Sequence, residues 1–140
     1  MNLLERVERT QKSIDEFFGQ PFKWGEADCG ILAGRHLENM GFETRLAEAR
    51  RYSTELGAKR AMTALGCASM EDFIDAYGFQ RIPPAMALPG DIVGFPGGSD
   101  ERPWTGLGVM IDAGEHLIGF ANGEVMRGPA RVCTVAWRVA

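Results

Sequence analysis

The spacing of apolar residues changes at Gly78, and that change constrains the fold more than any other feature of the sequence. Upstream, Leu3, Leu4, Val7, Ile14, Phe17 and Phe18 recur at helical spacing and Gly19 ends the run, which predicts an amphipathic first helix. An aperiodic loop containing Pro21 and Gly25 leads to a second helix, about Cys29 to Met40, with Asp28 as its natural N-cap and Gly41 as its stop. The stretch from Thr44 to Tyr77 divides at Tyr52-Ser53 and Gly66 into two or three short helices, and Ser69 with Asp72 resembles a capping box. Downstream lie β-rich segments at Asp91 to Phe95, Thr105 to Ile111, His116 to Ala121, Glu124 to Arg127 and Val132 to Val139. Asn122-Gly123 is a strong hairpin-turn signal and Asp112 to Glu115 a looser one, so consecutive hairpins are expected. Helices first and strands second predict an α+β domain with an antiparallel sheet. At 140 residues, one domain over 1–140 is the working expectation.

The net charge of −4 supplies no cationic field for a phosphate backbone, so nucleic acid is not an expected partner. The N-terminus turns charged within a few residues and no stretch is apolar enough to span a bilayer, so the chain is expected to be cytoplasmic as synthesised, without a membrane partner. Cys29, Cys67 and Cys133 leave an odd thiol however they pair. None stands at metal-ligand spacing from another cysteine or from His36 or His116, so neither a metal nor a cofactor is expected.

Cys29 is the residue around which chemistry would be organised. A cysteine in the first turn of a helix feels the positive end of the macrodipole and the unpaired amides, both of which favour the thiolate and make it the expected most reactive thiol of the three. The plainer alternative is a small buried hydrophobe, the role assigned to Cys67 and Cys133. Asp91 reads as a turn residue bonding local amides, Trp24 as a cleft wall or a core anchor, and Trp104 and Trp137 as packing residues.

The segment Phe22-x-Trp24-Gly25-x-x-Asp28-Cys29-Gly30-Ile31-Leu32, followed later by Leu88-Pro89-Gly90-Asp91-Ile92-Val93, resembles the NlpC-type cell-wall peptidases, and in particular their compact phage and prophage relatives. The resemblance implies a papain-like fold with Cys29 as nucleophile, a base histidine opening the strand after the Gly-Asp strand, and a polar residue on the next strand to orient it. It implies peptidoglycan stem peptides as substrate, or phage tail and virion proteins as partners with incorporation into a virion. Trp24, Asp28, Gly30, Thr105 and Asn122 are its candidate substrate-binding positions. The sequence departs from the family pattern: Gly30 follows the cysteine where the family has serine, Glu26 replaces the second glycine, and the base position falls on Gly106.

Two histidines remain as substitutes. His36 lies two helical turns beyond Cys29, roughly 10 Å along the axis. His116 pairs with Ile111 in a simple hairpin that also sets Ala121 opposite Gly106, which leaves it roughly 16 Å from the base position. That hairpin places Asn122 near Thr105, although Asn-Gly is also what a tight turn demands. Two readings stay open: a degenerate cysteine hydrolase kept for a structural or tail-assembly role, and an active peptidase or amidase working through Cys29 with His116 as its base.

Overall fold

A computed structural model describes all 140 residues. Five helices come first: α1 (Leu3–Phe17), α2 (Cys29–Asn39), α3 (Leu46–Ala49), α4 (Glu55–Ala64) and α5 (Met70–Asp75). Six strands follow: β1 (Gln80–Ile82), β2 (Ile92–Gly98), β3 (Pro103–Met110), β4 (His116–Ala121), β5 (Glu124–Pro129) and β6 (Val135–Arg138). They form one antiparallel sheet in the order β1-β6-β2-β3-β4-β5, so the chain is α+β. Ala121 pairs with Glu124 across Asn122 and Gly123, both at positive φ, 54° and 82°. That is the two-residue turn whose twist matches the strands it joins.

The sheet separates two apolar layers. Ile92, Leu107, Val109, Ile118 and Trp137 face the helices and join Ile31, Leu32, Leu37 and Phe73 in the main core. Val93, Met110, Leu117 and Ala136 face the other way, into a small second cluster with Ala87 and Ala130. α2 packs on both β3 and α1, and β3 is an inner strand, so α2 lies over the interior of the sheet.

The turn Pro89-Gly90-Asp91 ties these layers together. Asp91 is fully buried; Oδ1 accepts from Arg6 Nη2 at 2.5 Å and Val139 N at 2.9 Å, and Oδ2 from Leu88 N at 2.9 Å and Arg138 Nε at 2.8 Å. Gly90 has φ +91°, and a Cβ there would stand 2.6 Å from the Met40 methyl and 2.9 Å from Thr10 Oγ1, so only glycine fits between α1 and the end of α2.

This turn decides how α1 sits. The helix forms where the periodicity places it, with an Asn2–Glu5 capping box at its start, but the N-terminal half of the apolar stripe is not the buried half. Arg6, Thr10, Ser13 and Phe17 are buried, while Leu3, Leu4 and Val7 are 58%, 66% and 45% exposed. Arg6 needs Asp91 and the carbonyls of Pro89 and Val139, and Ser13 needs His36; those polar partners orient the helix where apolar spacing alone would have turned it over.

His36 is fully buried. Its Nε2 meets the Gly90 carbonyl at 2.8 Å, which must accept, so Nε2 carries the proton and Nδ1 accepts from Ser13 Oγ at 2.6 Å. Burial pushes this imidazole down to about 4, with the Arg6 charge acting in the same direction against the Gly90 bond. The folded state therefore holds His36 neutral, while the unfolded chain protonates it below its ordinary value of 6.5. Stability is fully present above about pH 6.5 and is lost as pH falls towards 4, by about 3 kcal/mol from this group. Urea midpoints measured from pH 7.5 to 4 should fall across that window, and His36→Gln should flatten the decline.

Candidate active site

Cys29 is the first residue of α2, and Asp28 caps it. Asp28 is buried with both oxygens engaged: Oδ1 accepts from Ile31 N at 2.9 Å, and Oδ2 from Gly25 N at 2.9 Å and from the Tyr52 hydroxyl at 2.6 Å. One carboxylate thus fastens the Trp-Gly loop, the helix start and the segment between α3 and α4. Gly25, at φ +78°, is required because a Cβ there would lie 2.0 Å from the Tyr52 carbonyl oxygen. The loop before it is anchored on the sheet, where Phe22 N donates to Gly123 O at 2.7 Å and Pro21 bridges to Glu124. Phe22 then meets Trp24 and Phe120 edge-on, at 4.7 and 5.4 Å between ring centroids.

These elements enclose a cleft of about 370 Å³ with Cys29 on its wall, and 16 of the 26 residues that line it are hydrophobic. Ile31, Met70 and Phe73 line its inner side and Trp104 and Phe120 its sheet side. α4, which buries no residue of its own, closes the outer side through Ala58, Ala61 and Met62.

The surroundings reverse the electrostatic expectation for Cys29. Burial pushes the thiol up to about 11 and the Asp28 carboxylate adds to the rise; the amides of Leu107, Gly30 and Cys29 itself favour the thiolate but do not prevail. A helix start favours the thiolate, but apolar surroundings penalise the charged form, and on this largely apolar wall the penalty is the larger effect. Tyr52 is no base either: burial and its bond to Asp28 hold the phenol well above its ordinary value. Cys133 is likewise pushed up, to about 11, by burial, and Cys67 is raised. All three cysteines are free thiols.

No histidine lines the cleft. His36 has both ring nitrogens engaged by Ser13 and Gly90. His116, at the start of β4, pairs with Pro129 of β5, its backbone carbonyl accepts from Ile111 N at 3.0 Å, and its Nδ1 lies 2.6 Å from Asp112 Oδ2. Gly106 does line the cleft, but the space a side chain would take there is filled. The Phe95 ring lies 2.7 Å from the Cβ position of Gly106, 3.3 Å from that of Gly108 and 3.0 Å from that of Gly119, so three glycines form the bed of one phenylalanine.

Of the other sequence candidates, Trp24, Asp28 and Gly30 line the cleft, whereas Thr105 and Asn122 do not. Thr105 rests beside Gly94, and Asn122 is an exposed turn residue. Trp104, which carries no motif, is a cleft residue as well as a packing one. Tyr52 and Phe95 have no sequence signal; both act through contacts with distant glycines. Cysteine spacing also gave no hint that Asp112, Glu115 and His116 bring ligand-type atoms within 4.8 Å of one another. Both Asp112 oxygens already serve the turn, accepting from Glu115 N, His116 N and the imidazole.

A family described as a domain of unknown function, DUF6950, matches residues 3–139, and the chain belongs to that family. No curated protein and no solved structure matches it.

With a pKa near 11, Cys29 should alkylate slowly at neutral pH. Iodoacetamide labelling mapped by mass spectrometry should quicken by about tenfold per pH unit from 7 to 10, following the thiolate fraction. A rate that has already levelled off at pH 7 would show an activated thiolate.

Proposed function

We propose that this chain is a papain-like, NlpC-type domain that has kept the cysteine-bearing helix and lost the acid–base machinery. It then serves as a binding or assembly component, in the manner of compact phage or prophage relatives that join a tail or virion, and not as a working peptidase. The observation that carries this reading is the composition of the Cys29 cleft: no imidazole lines it, and the Phe95 ring fills the place of a side chain at Gly106.

Hydrolysis of an amide by a cysteine needs a base to take the thiol proton and an acid to protonate the departing amine. With the thiol at about 11, roughly one molecule in ten thousand carries a thiolate at pH 7. Tyr52 is bonded to Asp28, and Asp28 is bonded to two amides and Tyr52, so neither is placed to exchange a proton with a substrate. What remains is an apolar recess with a weakly polar thiol in its wall, which suits retention of a ligand better than turnover.

A peptidoglycan stem peptide incubated with the protein at pH 7 to 8 should show no cleavage above that of Cys29→Ala, by mass spectrometry. Turnover that vanished in both Cys29→Ala and His116→Ala would establish a working dyad and overturn the proposal.

A further inference from the structure

We propose that the Cys29 cleft binds a small amphiphile: an apolar chain or ring system that carries one anionic group, a carboxylate or a phosphate. The inference rests on reading the cleft as a binding site and adds the chemistry of what it holds.

The interior admits an apolar body and penalises a polar one. Both oxygens of Asp28 are already engaged, by three donors in all, and the Tyr52 hydroxyl is spent on one of them. The one buried side-chain oxygen without a partner, Glu71 Oε1, belongs to a residue outside the cleft. A buried hydroxyl or amide of a ligand would therefore give up its water bonds and find no side chain waiting for it. Met62 and Met70, flexible and polarisable, with the rings of Trp24, Phe73 and Phe120, offer apolar surface instead. A volume of about 370 Å³ lies within the range of small-molecule sites, about 300–1,000 Å³.

The charge points to an anion. The whole chain has a net charge of −4, yet the charged residues lining the cleft are Arg50, Lys59 and Arg102 against Asp28 and Glu55. Asp28 is buried beneath Tyr52, which leaves Glu55 as the one other carboxylate among the lining residues, against three cations. Lys59 Nζ stands 3.3 Å from Glu55 in an exposed pair, which contributes little, and 5.7 Å over the Trp104 ring. A ligand anion at this rim would take Glu55's place against Lys59 and meet Arg102 on the sheet side, while its apolar part enters towards Cys29.

Trp24 and Trp104 line the cleft and Trp137 is buried in the core, so tryptophan fluorescence reads occupancy directly. Decanoate, decanol and decylammonium share one chain and differ in charge, and are titrated into the full-length protein at low ionic strength. Decanoate should bind at least about tenfold more tightly than decylammonium, with decanol between. Lys59→Met with Arg102→Gln should erase the preference for decanoate and leave decanol unchanged. Ala61→Trp, which fills the cleft from α4, should abolish binding of all three with the melting temperature preserved; should that variant not fold, the double substitution stands as the test. Equal affinity for decanoate and decylammonium, binding that survives Ala61→Trp, or no fluorescence response to millimolar decanoate would each overturn the inference. Such failures without peptide cleavage would leave the non-catalytic reading standing, whereas Cys29-dependent cleavage would overturn that reading whatever decanoate does.

Discussion

Asp91 accepts four hydrogen bonds from four directions while sealed from water: Arg6 from the first helix, Leu88 from its own turn, Arg138 from the last strand and Val139 from the chain end. A buried carboxylate is costly unless its lone pairs are filled by charged or amide donors, and removing one partner of such a pair typically costs about 3–5 kcal/mol. The neighbouring carbonyls extend the junction, Pro89 O to Arg6 and Gly90 O to His36. Through this turn α1 is held against α2 and both against the strands that begin at Ile92 and end at Arg138. The placement of Cys29 over β3 follows from it, because the helix that carries Cys29 is the one fixed by His36.

A second junction, built on Asp28, shapes the cleft, and it also governs the chemistry there. By drawing Gly25 and Tyr52 onto the helix start, Asp28 closes the site and places a negative charge beside the thiol. The same capping interaction that makes the first turn of α2 stable thus works against ionising Cys29. On the sheet, Phe95 packs against the second cluster and its ring lies over Gly106, Gly108 and Gly119, occupying the space a side chain at position 106 would take. A side chain at position 106 would have to displace the Phe95 ring, which leaves glycine as the residue that fits there without rearrangement.

Much of the fold is legible in the sequence because its signals are local. The helix start at Asp28-Cys29 and the turn at Asn122-Gly123 each follow from a few adjacent residues whose backbone preferences agree. The pairing of Ile111 with His116 follows from the turn between them. What is not legible depends on partners far along the chain. The buried face of α1 is chosen by Asp91 and His36, so its apolar stripe points the wrong way for its first two turns. β1 is three residues long, with Gln80 and Arg81 exposed, and shows too little alternation to be seen. β6 lies between β1 and β2, a placement that no turn signal specifies. At the candidate site, Trp24, Asp28, Cys29 and Gly30 were marked by one contiguous motif. Tyr52 and Phe95 were not, since the glycines they pack against lie elsewhere in sequence. The lowered thiol pKa expected at a helix start failed because a local dipole is weaker than desolvation by walls that the local sequence does not contain.

The absence of coupling between Cys29 and any imidazole is the claim on which the functional reading turns, and histidine NMR tests it most directly. The ring protons of His36 and His116 are followed from pH 4 to 9 in the native chain and in Cys29→Ala. In the expected result both titration curves superimpose between the two proteins, with His36 neutral down to the acid limit of folding. A histidine midpoint that moved by a full pH unit when the thiol was removed would reveal a thiolate–imidazolium pair and contradict the assignment of Cys29 to a cleft without acid–base partners.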